Sequence, residues 1–369
     1  MFIRKPLIYT GIALSLVLPS AVNAALVPLN LGVAGQFNAF IFNNFKGNAS
    51  DVEGRLAVGG NLNINNFAIG ERLTDSNYGR DDLIVGGDLT FTNGRILNGN
   101  ARSGGAYNHG VDVANPFGTL GYYTGADYNA SNVNGEYRAG NPLDFTAVKN
   151  DLLSKSSAWG ALAATGSAGQ PVDLNGYAQL NNLSLVGSST DVNIFTLTAE
   201  QLSNANKFSL DIPLTSWALI NVTGNSLITL DNFAFFRGGV QIQDENSDPL
   251  YGPVVAHGST SIYSERVLFN FVDATDITLR DIGFKGSILA PKANVTFYDG
   301  HLNGNLIAAS FTGDNVGNLP TGQLNLHNFV STPGSVPTQP VPVPSAVILF
   351  LSGLFGLAFR GNKRLVSVA

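Results

Sequence analysis

Two stretches carry residue types that could do chemistry. Asp244-Glu245-Asn246-Ser247-Asp248 is the densest acidic run, and carboxylates at that spacing on a loop can ligate Ca²⁺. The run lacks the glycine and the closing bidentate Glu of an EF-hand loop, so a solvated turn is the preferred reading. Further on, Asp273, Asp276, Asp281 and Asp299 flank His301, with Arg280 and Lys285 as cationic partners. Solenoid polysaccharide lyases and hydrolases use acids with Lys or Arg in a groove. Nothing in this spacing arranges the residues into an acid–base pair. Neither Ser287 nor Ser310 lies in the Gly-x-Ser-x-Gly turn that activates a serine. Cysteine is absent, which removes disulfides, thiolate metal sites and Cys nucleophiles. Four histidines are few for imidazole chemistry. The expectation is a protein that is not an enzyme and needs no cofactor or metal.

The elements that would position these residues are strands. Ala57-Val58-Gly59-Gly60-Asn61-Leu62-Asn63-Ile64 recurs 27 residues later as Ile84-Val85-Gly86-Gly87-Asp88-Leu89-Thr90-Phe91. Each copy is an apolar pair, two glycines, then strict alternation. Alternation of period two marks a strand with one buried face. A repeat in the twenties is about one coil of a β-solenoid. Leu183 to Val186, Leu219 to Val222, Ser226 to Leu230 and Ser287 to Ala290 alternate similarly, and Asn93-Gly94, Asn175-Gly176, Asp299-Gly300 and Asn303-Gly304 punctuate them as turns. The 40 asparagines suit solenoid corners, where Asn tolerates the left-handed conformation. One long helix interrupts: Asp144 can cap it, and Phe145, Val148, Leu152, Trp159 and Leu162 recur at helical spacing through Ala163. Thr198 with Gln201 is a capping box for a short second helix. Phe37, Phe40, Phe42 and Phe45 read as a packed cap over the first coil, and Trp159 and Trp217 as core rather than sugar-stacking platforms.

The two ends are of another kind. Arg4 and Lys5, then the apolar run Leu7 to Leu18, then Val22-Asn23-Ala24 spell a signal peptide over residues 1–24, cleaved between Ala24 and Ala25. A Pro-rich linker over 333–344 leads to a tail over 345–369, whose run Ala346 to Phe359 makes a short apolar helix ahead of Arg360, Lys363 and Arg364. Basic residues there hold that end in the cytoplasm and place the bulk of the chain outside. Without the five basic residues of the two ends, the body keeps 15 Lys and Arg against 26 Asp and Glu. That acidity argues against nucleic acid as a partner.

Here the residues carry resemblances. Pro342-Val343-Pro344-Ser345-Ala346, the apolar run and the basic cluster resemble the PEP-CTERM sorting signal of Gram-negative bacteria, with Val343 where Glu is usual. That resemblance implies an exosortase-type partner, an inner-membrane intermediate held by the tail, and removal of the tail. The body resembles the choice-of-anchor A domain. The resemblance rests on Phe37 to Phe42, Ser50 to Gly60, the second Gly-Gly strand, Asp144-Phe145, Ile220 to Gly224, Gly286 to Ala293, Gly304 to Ala308 and Gly322-Gln323-Leu324. It implies an exported surface or extracellular-matrix protein with an adhesive role. Gly286 to Ala308 is also similar to the last coils of bacterial ice-binding solenoids.

The expected fold is a mainly β, right-handed β-solenoid over 25–332 with one flanking α-helix. The expected function is structural or adhesive, through a broad flat face rather than a pocket. The alternatives are a solenoid that binds ice, polysaccharide or a host matrix protein such as collagen, and a polysaccharide-active enzyme. A regular Thr-x-Thr ladder would favour ice. The sequence shows only fragments of one, such as Thr90-Phe91-Thr92.

Overall fold

The computed structural model describes residues 27–334 apart from 75, 77–78, 93–94, 110–135, 170–181, 225–226, 238–239, 243–261 and 314–318. The signal peptide, Ala24 and Ala25, the acidic run at 244–248, and Pro342, Val343, Pro344, Arg360, Lys363 and Arg364 lie outside the described residues. Among the described residues no helix is long and apolar enough to cross a membrane.

The chain is mainly β, and its ladders are almost all parallel. Three strands make each full coil, so the stack has three faces. The first face is a ladder of ten parallel segments. In spatial order these are Val192–Thr198, Trp217–Thr223, Val267–Phe271, 287–290, 306–308, Ala39–Ile41, Leu56–Val58, Asp81–Val85, Asn100–Ser103 and Tyr137–Ala139. The order differs from a simple spiral. The chain enters in the middle of the stack at Ala39–Ile41, coils outward to Tyr137–Ala139, then restarts at the far end and coils back. The closing strand at 306–308 docks on the opening one. The phenylalanines read as an end cap therefore sit mid-stack. Phe45 lies inside, stacked on Phe311 at 4.4 Å, while Phe40 faces outward against Phe145 at 5.0 Å.

Local chemistry makes the corners. Gly59-Gly60, Gly86-Gly87 and Gly104-Gly105 turn the chain from the first face to the second. At the next corner Ala49, Asn66, Asn232, Asp281 and Asp299 all take positive φ, between 46° and 53°. Asn and Asp tolerate that conformation because a short polar side chain bonds locally; Ala49 adopts it at a cost. The third corner uses Gly286 and Gly304, with φ of 121° and 154°.

Helix α1 (Phe145–Gly160) bridges the two halves. Asp144 caps it, accepting from Ala147 N–H at 2.9 Å. Its buried side chains Val148, Leu152 and Trp159 cover the outer side of the first face, against Phe40, Ala57, Ile84, Leu219, Leu268, Leu289 and Ile307. Both sides of that sheet are thus buried over its central strands, such as Trp217–Thr223 and Val267–Phe271, which read as nearly continuous apolar runs. Two buried amides fix the helix on the sheet. Asn270 Nδ2 donates to Ser156 O at 2.9 Å, and Asn221 Nδ2 donates to Trp159 O at 2.8 Å. Trp159 and Trp217 are both core.

At the end where the chain restarts, the sheet edges are blunted. Helix α2 (Ala199–Asn204), held by the Thr198–Gln201 capping box, packs against Ile228–Asp231. Ser167–Gly169 pairs antiparallel with Asn182–Val186. The N–H groups of Thr165 and Gly166 donate to Ile194 O at 2.9 and 3.1 Å.

Candidate ligand-binding face

The acids and bases singled out in sequence do not converge. Asp273 pairs with Lys292 at 2.9 Å, and Arg280 pairs with Asp231 on the neighbouring strand. Asp281 and Asp299 are corner residues. Lys285 and His301 do meet on the third face, which includes 282–285, 300–303, Gln323–Asn325, 50–52, 67–69 and Arg95–Ile96: Lys285 Nζ lies 3.0 Å from His301 Nε2, with Lys285 buried. Burial first, and then the Lys285 charge, push the nearby His327 down to about 4, which keeps it neutral. Among the described residues no three His, Asp or Glu side chains group as metal ligands.

The third face carries one strongly shifted acid. Asp51 is pushed up to about 7 by burial first, then by Glu71 and Glu53, against a bond from Gln323 and the charge of Arg95. It lies beside the strand Gln323–Asn325, where the two halves of the stack meet. Its folded pKa exceeds the ordinary carboxylate value near 4. Its contribution to stability is therefore fully present below about pH 4 and is lost as pH rises through about 7. Asp51→Asn should accordingly gain on the wild type between pH 4.5 and 8 in thermal melts. Glu265, also pushed up to about 7, adds the same slope to both proteins. Curves that stay parallel across that range would show that Asp51 is ionised at no cost.

The second face is different. It runs through Ile228–Asp231, 276–280, 294–298, 310–312, 45–48, 62–65, Leu89–Thr92 and Tyr107–His109. Alternate side chains point inward and are buried: Ile228, Leu230, Ile277, Leu279, Val295, Phe297, Phe311, Phe45, Leu62, Ile64, Leu89 and Phe91. The residues between them point outward and are exposed or half-buried.

Those outward residues form rows across the strands. Thr229, Thr278, Thr296 and Thr312 stand in register on four consecutive strands. The row continues through Lys46, Asn63, Thr90 and Asn108. Adjacent strands are ~4.8 Å apart, so the hydroxyls repeat at that interval. A Thr side chain is stiff at χ1, which holds each hydroxyl in place before any ligand arrives. A second row runs through Asp231, Arg280 and Tyr298, and on the other half through Asn48, Asn65 and Thr92. Asn65 Nδ2 donates to Asn48 Oδ1 at 3.0 Å. Along the corner, Asn44, Asn61 and Asp88 accept from the backbone N–H of Asn61, Asp88 and Ala106, at 2.9, 2.9 and 2.7 Å. Each coil is thereby pinned to the next, which keeps the face regular.

Sequence reading missed the Thr row because it looked along strands. Thr90-Phe91-Thr92 lies along one strand; the row crosses four. The coils that supply it differ in length, so Thr229, Thr278, Thr296 and Thr312 fall at unequal intervals. The usable signal was the central Thr of Ile228-Thr229-Leu230, Ile277-Thr278-Leu279 and Val295-Thr296-Phe297, an outward hydroxyl between two inward apolar residues.

A stack of parallel coils with a face of ordered hydroxyls and amides among the described residues defines the class of parallel β-solenoids. Within that class the chain belongs to the ice-binding-like adhesive domain family, whose model matches residues 30–319. No curated protein matches the sequence. Among solved structures, an ice-binding protein from the Antarctic ascomycete Antarctomyces psychrotrophicus is 13% identical, covers 82% of this chain and 100% of its own, and has a TM-score of 0.35. An ice-binding protein from an Antarctic biological consortium is 13% identical over 82% of this chain and 95% of its own, with a TM-score of 0.32. A glycosylated ice-binding protein from an Arctic yeast is 15% identical over 83% of this chain and 96% of its own, with a TM-score of 0.29.

The family match corrects the resemblance to choice-of-anchor A with a PEP-CTERM signal. The motifs that carried the resemblance are Gly-Gly corners, the Asp144 helix cap and the closing coil. The corners and the closing coil follow from the coil geometry and the cap from helix chemistry, so they mark the architecture and do not single out that family.

Proposed function

We propose that this chain is a non-enzymatic extracellular or surface protein that binds an ordered, repeating hydroxyl lattice through its second face, with ice as the ligand. The carrying observation is the in-register row Thr229, Thr278, Thr296 and Thr312. Stiff hydroxyls at a fixed interval on a flat sheet suit a solid whose own groups repeat, because the protein loses little conformational freedom on contact. Membership of an ice-binding-like adhesive family supports the reading.

Adhesion to polysaccharide is a second reading, favoured by the amide-rich half of the same face: Asn48, Asn63, Asn65 and Asn108 with Thr90 and Thr92. The deciding experiment measures ice recrystallisation and ice-crystal shaping with the purified chain, beside its retention on polysaccharide matrices. Shaped crystals and suppressed recrystallisation are expected. Unmodified crystal growth together with firm retention on polysaccharide would replace ice with glycan.

A further inference from the structure

We propose that this chain is arranged to hold its ligand while fastened to a support on its far side: the segments 27–38 and 326–332 run together along the edge opposite the ligand-binding face. The inference rests on the ice reading above. Three strands make each coil, so the second face lies across the core from the edge where the third face meets the first. Gly286 and Gly304 turn the chain at that edge.

Side-chain amides place both segments there. Asn38 Nδ2 donates to Gly304 O and to Asn325 O, each at 2.9 Å. Asn305 follows Gly304; its Nδ2 donates to Phe37 O, and its Oδ1 accepts from Phe329 N–H. The segments are also tied to each other. Leu29 N–H donates to Thr332 Oγ1 at 3.0 Å, and Thr332 N–H donates to Leu29 O at 3.1 Å. Leu29, Leu31 and Phe329 are buried with the outer side of the first face, so apolar packing backs the polar ties.

The closing segment grips the coils that carry the threonines. Asn305 opens the coil of Thr312, and its N–H donates to Ser287 Oγ, in the coil of Thr296, at 2.9 Å. Val330 N–H donates to Glu265 O at 2.8 Å, just ahead of Val267–Phe271 in the coil of Thr278. Val330 O accepts from Trp217 Nε1 at 2.7 Å, in the coil of Thr229. A pull on this edge is therefore passed to the backs of the four coils whose fronts present the hydroxyl row. A strand of five or so residues spans ~17 Å, so a support on this edge is held off the row by the depth of the core. Copies fixed side by side then meet a solid ligand together, which raises avidity without any new contact.

The sequence has no cysteine, so one introduced thiol defines one point of attachment. Val330→Cys and Pro28→Cys place it at exposed positions on the edge. Asn294→Cys places it on the second face, beside Thr296, also exposed. Each full-length variant is coupled to maleimide beads at equal loading, and capture of the beads by growing ice is scored against the same variant's action on ice when free. Melting temperatures confirm the fold, and the two edge variants guard against the failure of either one. Free Val330→Cys and Pro28→Cys should match the wild type. Their beads should be captured, and Asn294→Cys beads should be captured several-fold less. Edge-coupled beads that ignore ice while the free variants act on it overturn this proposal alone, as does equal capture through Asn294→Cys. A free wild type that leaves ice unaffected brings down the ice reading and this proposal together.

Discussion

Thr296→Tyr should abolish action on ice while leaving the melting temperature unchanged. Thr296 is the third of the four in-register threonines, with Thr278 and Thr312 on either side. Its side chain points outward from a strand whose inward residues Val295 and Phe297 are buried. A tyrosine ring there stands well above the neighbouring hydroxyls and holds a flat lattice away from all of them. The loss expected is at least about tenfold in the effective concentration, which corresponds to ~1.4 kcal/mol or more. The fold has little reason to respond, because Thr296 is half-buried on the outward side of the sheet and substitutions away from the core usually stay within ~0.5 kcal/mol. Asn108→Tyr at the far end of the row serves as the control and should cost little. Recrystallisation assays paired with thermal melts decide the matter. A Thr296→Tyr protein as active as the wild type would mean that the face is not where ice binds.

Gly86→Ala should damage the fold strongly for a single added methyl. The Gly-Gly corners form a column. Gly59 N–H donates to Ile41 O at 2.7 Å, Gly86 N–H to Val58 O at 2.7 Å, and Gly104 N–H to Val85 O at 2.9 Å. A Cβ on Gly86 would overlap the carbonyl oxygen of Gly59, and one on Gly104 would overlap that of Gly86. The obstacle is backbone tied into the ladder, so it cannot swing aside as a side chain would. Overpacking of this kind costs ~3 kcal/mol. At ~2–4 °C per kcal/mol for a chain of this size, melting should fall by about 6–12 °C. Gly140→Ala isolates the cause. Nothing lies within 4 Å of its Cβ position, and only its φ of 98° resists substitution. That strain is worth ~1–2 kcal/mol. Equal melting temperatures for the two variants would show that close approach does not govern the corner.

Much of this architecture was legible in the residues. The Gly-Gly repeat marked the coil and its corner because the steric demand recurs at each turn. Asp144 and the Thr198–Gln201 box announced their helices, since capping is settled within four residues. Asp299-Gly300 announced a corner, but Ala49 takes the same corner at φ 52° with no residue preference to betray it. The order of the stack was not legible. Ala39–Ile41 carries an ordinary apolar strand pattern, and nothing in it shows that it pairs with 306–308 as well as with Leu56–Val58. For the same reason Phe37 to Phe45 read as an end cap. The Thr row was hidden because it exists only after coils of unequal length are stacked.

Entering the stack in its middle has a consequence for how the molecule is made. Ala39–Ile41 finds its first partner, Leu56–Val58, almost at once, and its second, at 306–308, only when nearly the whole body has been synthesised. Closing so long a loop is entropically dear and slow. The opening half can coil early but must wait with a parallel strand edge unpaired. An unpaired edge is the feature most prone to recruiting a strand from another molecule. Yield of the native protein is therefore governed by the competition between one late intramolecular docking event and aggregation at that waiting edge.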